Sequence, residues 1–179
     1  MEINKFRTEM KYPMLNYLDF TLKASLTDKE KVVQKLFELG ADFLGIDEQH
    51  DFYFHTEKGK LKYRKGSLGT LITHYERFLV DNSEKTHVYR YDVDPSEESV
   101  KQLYLTHDLL GETQKSRTLF QWENVTIHLD LLPDGNTFIE VEAKDFEQEL
   151  TESELQQKCR GLFDYLEIPD RDLRQSGYL

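Results

Sequence analysis

The sequence predicts an α+β fold: about eight short antiparallel strands, mostly joined as hairpins, with three helices inserted among them. Three observations predict it. Charged residues recur two apart, as Lys62/Arg64, Lys115/Arg117 and Glu140/Glu142, with Asp19 and Lys23 bracketing Thr21 on one parity. Apolar residues fill the alternate positions, as in Phe20/Leu22, Leu61/Tyr63 and Ile139/Val141. Turn and cap signals separate these runs. Residues i and i+2 of a strand share a face, so several strands each carry one ionic and one apolar face.

The elements follow in order. Residues 1–14 are polar and irregular and read as an N-terminal arm, with a single domain over 15–179. Tyr17 to Leu26 is the first strand. Thr27 and Glu30 fit a capping box, Val32, Val33, Leu36, Phe37 and Leu39 make an apolar stripe, and Gly40 suits the helix end. Gln49 to His55, Leu61 to Lys65, Thr70 to Val80 and His87 to Val93 are four more strands, separated by turns at 57–60, 66–69 and 81–84. Asp94 and Pro95 open a second helix with Val100, Leu103, Tyr104 and Leu110 as its stripe. Gly111 to Trp122, Val125 to Leu131 and Thr137 to Ala143 complete the strands. Thr151 and Glu154 cap a last helix, which stops before Pro169.

Composition narrows the function. The 179 residues include 34 Asp and Glu against 23 Lys and Arg, a net charge of −11, so nonspecific binding to nucleic acid or an anionic membrane is not expected. Any anion site must be a local basic cluster. The one cysteine, Cys159, rules out an intramolecular disulfide and a multi-thiolate zinc site. The absence of an apolar leader or of a long apolar run points to a cytoplasmic protein.

A sheet so patterned can turn its charges to water or curl into a barrel with a polar lumen. Eight strands is about the smallest number that closes around a ligand. A lumen would gather Lys62, Arg64, Arg77, Lys115 and Arg117, which cannot be buried without opposite charge nearby. Glu140 and Glu142 neutralise part of that cluster and form a plausible hard-metal site, with Asp19 and Asp130 as further candidates. The combination suits a polyanion held with a divalent metal. The six histidines show no metal spacing, and no P-loop, GxGxxG or nucleophile motif occurs.

The order of these motifs resembles the CYTH family, the triphosphate tunnel proteins related to class IV adenylyl cyclases and thiamine triphosphatases. Gln49-His50-Asp51-Phe52-Tyr53-Phe54 looks like the family's QxDxYF strand, Leu61-Lys62-Tyr63-Arg64 like its basic third strand, and Lys115-Ser116-Arg117 like its KxR strand. Ile127 to Asp130 and Phe138 to Glu142 look like its paired late strands, the second ending in ExE. Leu71 to Arg77, and the ending from Ile168-Pro169 through Ser176-Gly177-Tyr178, look most like the cyclase-related branch.

The resemblance implies a closed antiparallel eight-stranded β-barrel, the triphosphate tunnel, with flanking helices. It also implies Mg²⁺ or Mn²⁺ as cofactor and a triphosphate as ligand: ATP, tripolyphosphate or thiamine triphosphate. Lys23, Lys62, Arg64, Arg77, Lys115 and Arg117 would then hold phosphates, and Glu140 and Glu142 the metal. The implied activity is that of a class IV adenylyl cyclase-like enzyme or a triphosphatase, in a monomer or homodimer. No general base is assignable.

Two strands depart from the family pattern. The first normally reads ExExK, and here it reads Asp19-Phe20-Thr21-Leu22-Lys23, with a neutral hydroxyl in place of the second acid. The fifth lacks Arg-x-Glu-x-Glu and offers His87, Tyr89 and Tyr91 on one parity. The first departure motivates a rival reading, a non-catalytic nucleotide- or polyphosphate-binding protein with a degenerate metal site. An interaction domain with an empty tunnel is the third.

Overall fold

The computed structural model describes residues 15–80, 83–147 and 149–174. The arm expected over 1–14, and Ser176, Gly177 and Tyr178, lie outside these residues. β1 (Leu15–Ser25) leads into α1 (Lys29–Leu39), followed by β2 (Asp42–Phe54), β3 (Lys60–Gly66), β4 (Gly69–Val80) and β5 (Ser83–Val93). Then come α2 (Glu97–Thr106), β6 (Leu109–Trp122), β7 (Val125–Leu131), β8 (Thr137–Asp145) and α3 (Glu152–Tyr165). A 3₁₀ turn at Asp170–Asp172 and a two-residue β9 (Leu173–Arg174) end the described chain.

The strand order is β5-β4-β3-β2-β6-β7-β8-β1, and β1 pairs back onto β5, so eight strands form a closed ring. All pairings are antiparallel. β5 pairs with β1 over Leu15 to Asp19, and β9 takes over that edge of β1 at Lys23 and Ala24. Closure removes the free edges that an open sheet would expose.

The helices decide which way the strands face. α1 and α3 lie over the outer surface of β1, β6, β7 and β8. There Val32, Leu36, Leu155, Cys159, Leu162 and Phe163 meet Leu22, Phe120, Ile127, Leu129, Ile139 and Val141. α2 covers β2, β3 and β4 through Leu103 on Phe54, Leu61 and Ile72. Each such apolar side chain stabilises the fold by roughly 1.5–3 kcal/mol when fully buried. With the apolar faces turned out under helices, the ionic parity must point into the ring.

Several element ends differ from the sequence expectation. α1 is capped by Asp28, whose carboxylate accepts from Lys31 N at 2.9 Å, rather than by Thr27. The reason is that Leu26 N still donates to Thr137 O, so the chain leaves the sheet one residue later. α2 is capped by Ser96, not Asp94; Asp94 sits at φ 48° and accepts from Thr70 N, tying the end of β5 to the start of β4. Leu110 belongs to β6 instead of the α2 stripe. β2 begins seven residues before its predicted start, through a bulge at Gly45 (φ 122°). The Thr151/Glu154 capping box and the left-handed Gly40 form as read.

Gly59 closes the β2–β3 turn at φ 67°, and a Cβ there would stand 2.2 Å from Tyr75 O. Gly59→Ala is expected to cost about 1–3 kcal/mol, because both the backbone angle and the carbonyl contact must yield. Urea unfolding of the variant against the parent checks this.

Candidate functional site: an ion-paired lumen

The ring encloses a cavity of about 1100 Å³. Lys23, Lys62, Arg64, Arg77, Lys115, Arg117, Glu140 and Glu142 all line it, so the structure brings together every residue expected to hold phosphate and both of the glutamates. Asp130, the counter-charge of Arg117 and Lys115, and Asp19 are 1% and 0% exposed.

Two units repeat. On β3, Arg64 sits directly across from Asp51 of β2 and forks onto it at 2.6 and 2.7 Å, with Lys62 Nζ 3.6 Å from the same carboxylate. On β6, Arg117 sits directly across from Asp130 of β7 and forks onto it at 2.6 Å through both Nε and Nη2, with Lys115 Nζ 3.5 Å away. Bidentate Arg–carboxylate pairs fix orientation as well as charge. Burial would raise the pKa of Asp51, but the Arg64 hydrogen bonds and the Lys62 charge hold it well below the usual range. At Asp130 burial is likewise outweighed, first by the charge of Arg117 and then by its hydrogen bonds.

The lysines are strained in the opposite sense. Burial and then the charge of Arg64 push Lys62 down to about 7, and burial and then Arg117 push Lys115 down to about 8. Burial also lowers Lys23, whose ammonium lies over the Phe138 ring at 5.7 Å.

The third group is acidic. Glu140 Oε1 lies 2.9 Å from His128 Nδ1 and 3.7 Å from Arg117 Nη2. Burial and then Arg117 lower the pKa of His128, whose Nδ1 shares the hydrogen bond with Glu140. Burial opposes the Glu140 charge, but the His128 bond and then Arg117 keep its pKa well below the ordinary value. Glu142 Oε1 lies 3.8 Å from Arg77 Nη2 and its Oε2 3.2 Å from Lys144 Nζ. Asp19 Oδ2 accepts from Thr86 Oγ1 at 3.0 Å.

Among the described residues no group of three His, Cys, Asp or Glu side chains is already gathered as a metal site. The oxygen chemistry nevertheless fits a hard cation. Asp19 Oδ1 and Thr21 Oγ1 are buried with no hydrogen-bond partner, and Thr21 stands directly across from Glu142. Orphaned buried oxygens beside a carboxylate match the donor set that Mg²⁺ or Mn²⁺ prefers.

Sequence reasoning missed Lys144 and the pairing role of Asp51. Lys144 continues the Glu140-x-Glu142 parity, but the strand was ended at Ala143, whereas β8 runs on to Asp145. Asp51 was legible only as part of a strand motif. On β5 a register shift against β4 alters the parity: Tyr91, Val88 and Thr86 face the lumen, while Tyr89 is exposed and donates to Glu76.

A closed antiparallel ring with a bore of paired Lys, Arg and carboxylates defines a tunnel with a charged lining. The chain belongs to the CYTH domain family, whose model matches residues 21–178. It is similar in fold to the PH1012 protein from Pyrococcus horikoshii OT3, at 23% identity and TM-score 0.72, covering 89% of this chain and 96% of that one. A candidate adenylate cyclase from Vibrio parahaemolyticus aligns at 13% identity and TM-score 0.70, covering 90% and 95%. HpAC1 from Hippeastrum, a candidate adenylyl cyclase with a dominant triphosphatase activity, aligns at 15% identity and TM-score 0.59, covering 91% and 92%. None of the curated proteins matches the sequence. Among the described residues no helix is long and apolar enough to cross a membrane.

Asp19 carries a pH prediction. Burial and then the Glu142 charge raise it from 3.8 to about 7. The folded state therefore binds this proton more tightly than the unfolded chain does. The resulting stability is complete below the ordinary carboxylate pKa and is lost as pH rises through about 7. In EDTA, the melting temperature is expected to fall more between about pH 5 and about pH 8 for the parent than for Asp19→Asn, whose neutral amide never ionises. Parallel pH profiles for the two proteins would refute this.

Proposed function

We propose that the protein is a metal-dependent enzyme acting on a nucleoside or organic triphosphate held in the lumen. One observation carries the reading: Lys23, Lys62, Arg64, Arg77, Lys115, Arg117 and Lys144 outnumber the carboxylates that face them, and burial, then the neighbouring arginine, lowers the pKa of Lys62 and of Lys115. A phosphate chain supplies that negative charge. Arg64 and Arg117, pre-oriented by Asp51 and Asp130, present planar donors to it, and the lysines act as point charges beside them.

Glu140 and Glu142 would hold the metal, with Asp19 Oδ1 and Thr21 Oγ1 as neighbouring oxygens. Bound there, Mg²⁺ or Mn²⁺ supplies charge neutralisation for phosphate oxygens. The basic residues stabilise charge developing at the transferred phosphorus. Asp130, whose two oxygens are both taken by the Arg117 fork, orients that arginine and is not part of the metal set in this reading.

Attack by water on the terminal phosphorus yields a diphosphate compound and phosphate. Attack by a ribose 3′-oxygen on the α-phosphorus of ATP yields cyclic AMP and pyrophosphate. The triphosphatase activity named for the Hippeastrum protein, and the cyclase naming of it and of the Vibrio protein, support these two outcomes for the same tunnel. A second reading, triphosphate binding without turnover, is favoured by Thr21 opposite Glu142, where a carboxylate would complete the metal set.

Release of phosphate or pyrophosphate from ATP, tripolyphosphate and thiamine triphosphate in Mg²⁺ or Mn²⁺ tests the enzyme reading. Glu140→Gln is expected to lower turnover at least about tenfold, the scale of removing one direct interaction with a metal-bound group. Stabilisation by triphosphates with no product would leave the binding reading. Binding should also take up protons. Bound phosphate favours the ammonium forms of Lys62 and Lys115, whose pKa values lie near 7 and 8. Calorimetry at about pH 8 in buffers of different ionisation enthalpy is expected to show net proton uptake, and Lys62→Met with Lys115→Met to abolish it.

A further inference from the structure

We propose that Asp47 and Gln49 set the specificity of the lumen. Asp47 fixes the Gln49 amide so that its carbonyl oxygen accepts from an amino group on a heteroaromatic ring of the ligand, and the ring lies against Leu44, Leu68 and Leu119. This rests on the triphosphate reading above and deepens it, since it makes an aminated ring the organic part of the ligand.

The inward wall of β2 changes character along its length. The Gly45 bulge (φ 122°) lies near its start. Leu44 precedes the bulge, and Leu119 of β6 stands across from it. Leu68, from the β3–β4 turn, reaches over it, with Cδ1 3.4 Å from where a Gly45 Cβ would stand. All three leucines line the cavity. Asp47 and Gln49 come next along β2, and then Asp51 with the Arg64 fork. Apolar surface, a few placed polar groups and then basic donors suit a ligand with an organic head and an anionic tail.

One carboxylate organises this end. Asp47 Oδ1 accepts from Leu68 N at 2.9 Å and from Ser67 Oγ at 3.3 Å, which holds the turn and its leucine. Asp47 Oδ2 accepts from Gln49 Nε2 at 2.8 Å. Both side chains line the cavity, yet Asp47 is 4% exposed and Gln49 5%. A carboxylate accepts and does not donate, so the amide has one orientation, with its NH₂ toward Asp47. The carbonyl oxygen, Gln49 Oε1, is buried and has no hydrogen-bond partner. A buried acceptor left unpaired costs free energy that a donor on the ligand recovers. Across the strands, Gln49 faces Gly66 of β3 and Lys115 of β6. The Lys115 ammonium lies 3.5 Å from Asp130. A Cβ at Gly66 would stand 2.7 Å from Asp47 Oδ1, so the position stays bare and no β3 side chain covers Gln49 there.

An exocyclic amine on a purine or a pyrimidine supplies the missing N–H. A ring carbonyl in the same place would set two acceptors against each other, and inorganic tripolyphosphate makes neither contact. ATP against ITP, and CTP against UTP, each exchange amine for carbonyl at one ring position. The two pairs therefore separate a purine ligand from a pyrimidine one.

Calorimetric binding in EDTA tests the assignment. The parent is expected to bind the amine member of at least one pair about tenfold more tightly than its carbonyl partner. Gln49→Met removes the acceptor and is expected to bring that ratio to about one, with tripolyphosphate affinity kept within about twofold. In Asp47→Asn the new amide can still accept from Leu68 N, but its NH₂ meets Gln49, which turns over and presents a donor. The amine preference is then expected to be lost or reversed. Losing the Asp47 charge alters the affinity of every anion, so the ratio within a pair is the readout.

Equal binding within both pairs by the parent, a preference for the carbonyl member, or a ratio unchanged in either variant would overturn the assignment. If tripolyphosphate does not bind the parent, the triphosphate reading fails. Saturation-transfer NMR with adenosine, inosine, cytidine and uridine, which carry no phosphate, then decides the ring site alone, and no amine preference there counts against it. Should Gln49→Met not fold, the ratio in Asp47→Asn carries the decision.

Discussion

Buried charge must be paired, and in this chain that requirement shapes the whole interior. Arg64 with Asp51 and Arg117 with Asp130 are direct cross-strand partners on two adjacent strand pairs, β2–β3 and β6–β7. A one-residue slip in either register would put the arginine and its carboxylate on opposite faces. The same slip would push Leu61 or Leu129 out of its apolar cluster. Outer apolar packing and inner ion pairing therefore specify one register together. Breaking one partner of such a pair leaves a charge buried alone, at a cost of roughly 3–5 kcal/mol.

The pairing is uneven around the ring, and the unevenness is where function enters. The β3 and β6 walls hold two cations per aspartate, and their lysines bear the excess as lowered pKa values. The β1 and β8 walls hold the carboxylates, with Asp19 pressed toward its neutral form by burial and then by Glu142. A ligand with closely spaced negative charges relieves the first wall. A hard cation relieves the second. On the proposed reading, a phosphate chain carrying a divalent ion does both. The family assignment agrees with this division without naming the substrate.

Much of this was legible in the sequence because strand parity is a strong signal. Lys62/Arg64, Lys115/Arg117 and Glu140/Glu142 all face inward as their spacing requires. What stayed hidden depended on context that no local pattern carries. Lys144 was lost to a strand boundary drawn two residues early. Asp51 and Asp130 look alike in sequence to any strand aspartate, and only the ring places an arginine across from each. The inward face of β5 is set by a bulge in its pairing with β4, so alternation there misleads. Gly45 concealed the first half of β2, because a bulge residue breaks the alternation that marks a strand. The caps Asp28 and Ser96 each lie one or two residues past the expected position, where the sheet releases the chain.

The most direct test of the account is a crystal structure with tripolyphosphate and Mn²⁺, collected at a wavelength where manganese scatters anomalously. The account predicts a phosphate chain in the bore, contacting Lys62, Arg64, Lys115 and Arg117, and a manganese peak beside Glu140 and Glu142. An empty bore with the anion bound on the outer surface would contradict it.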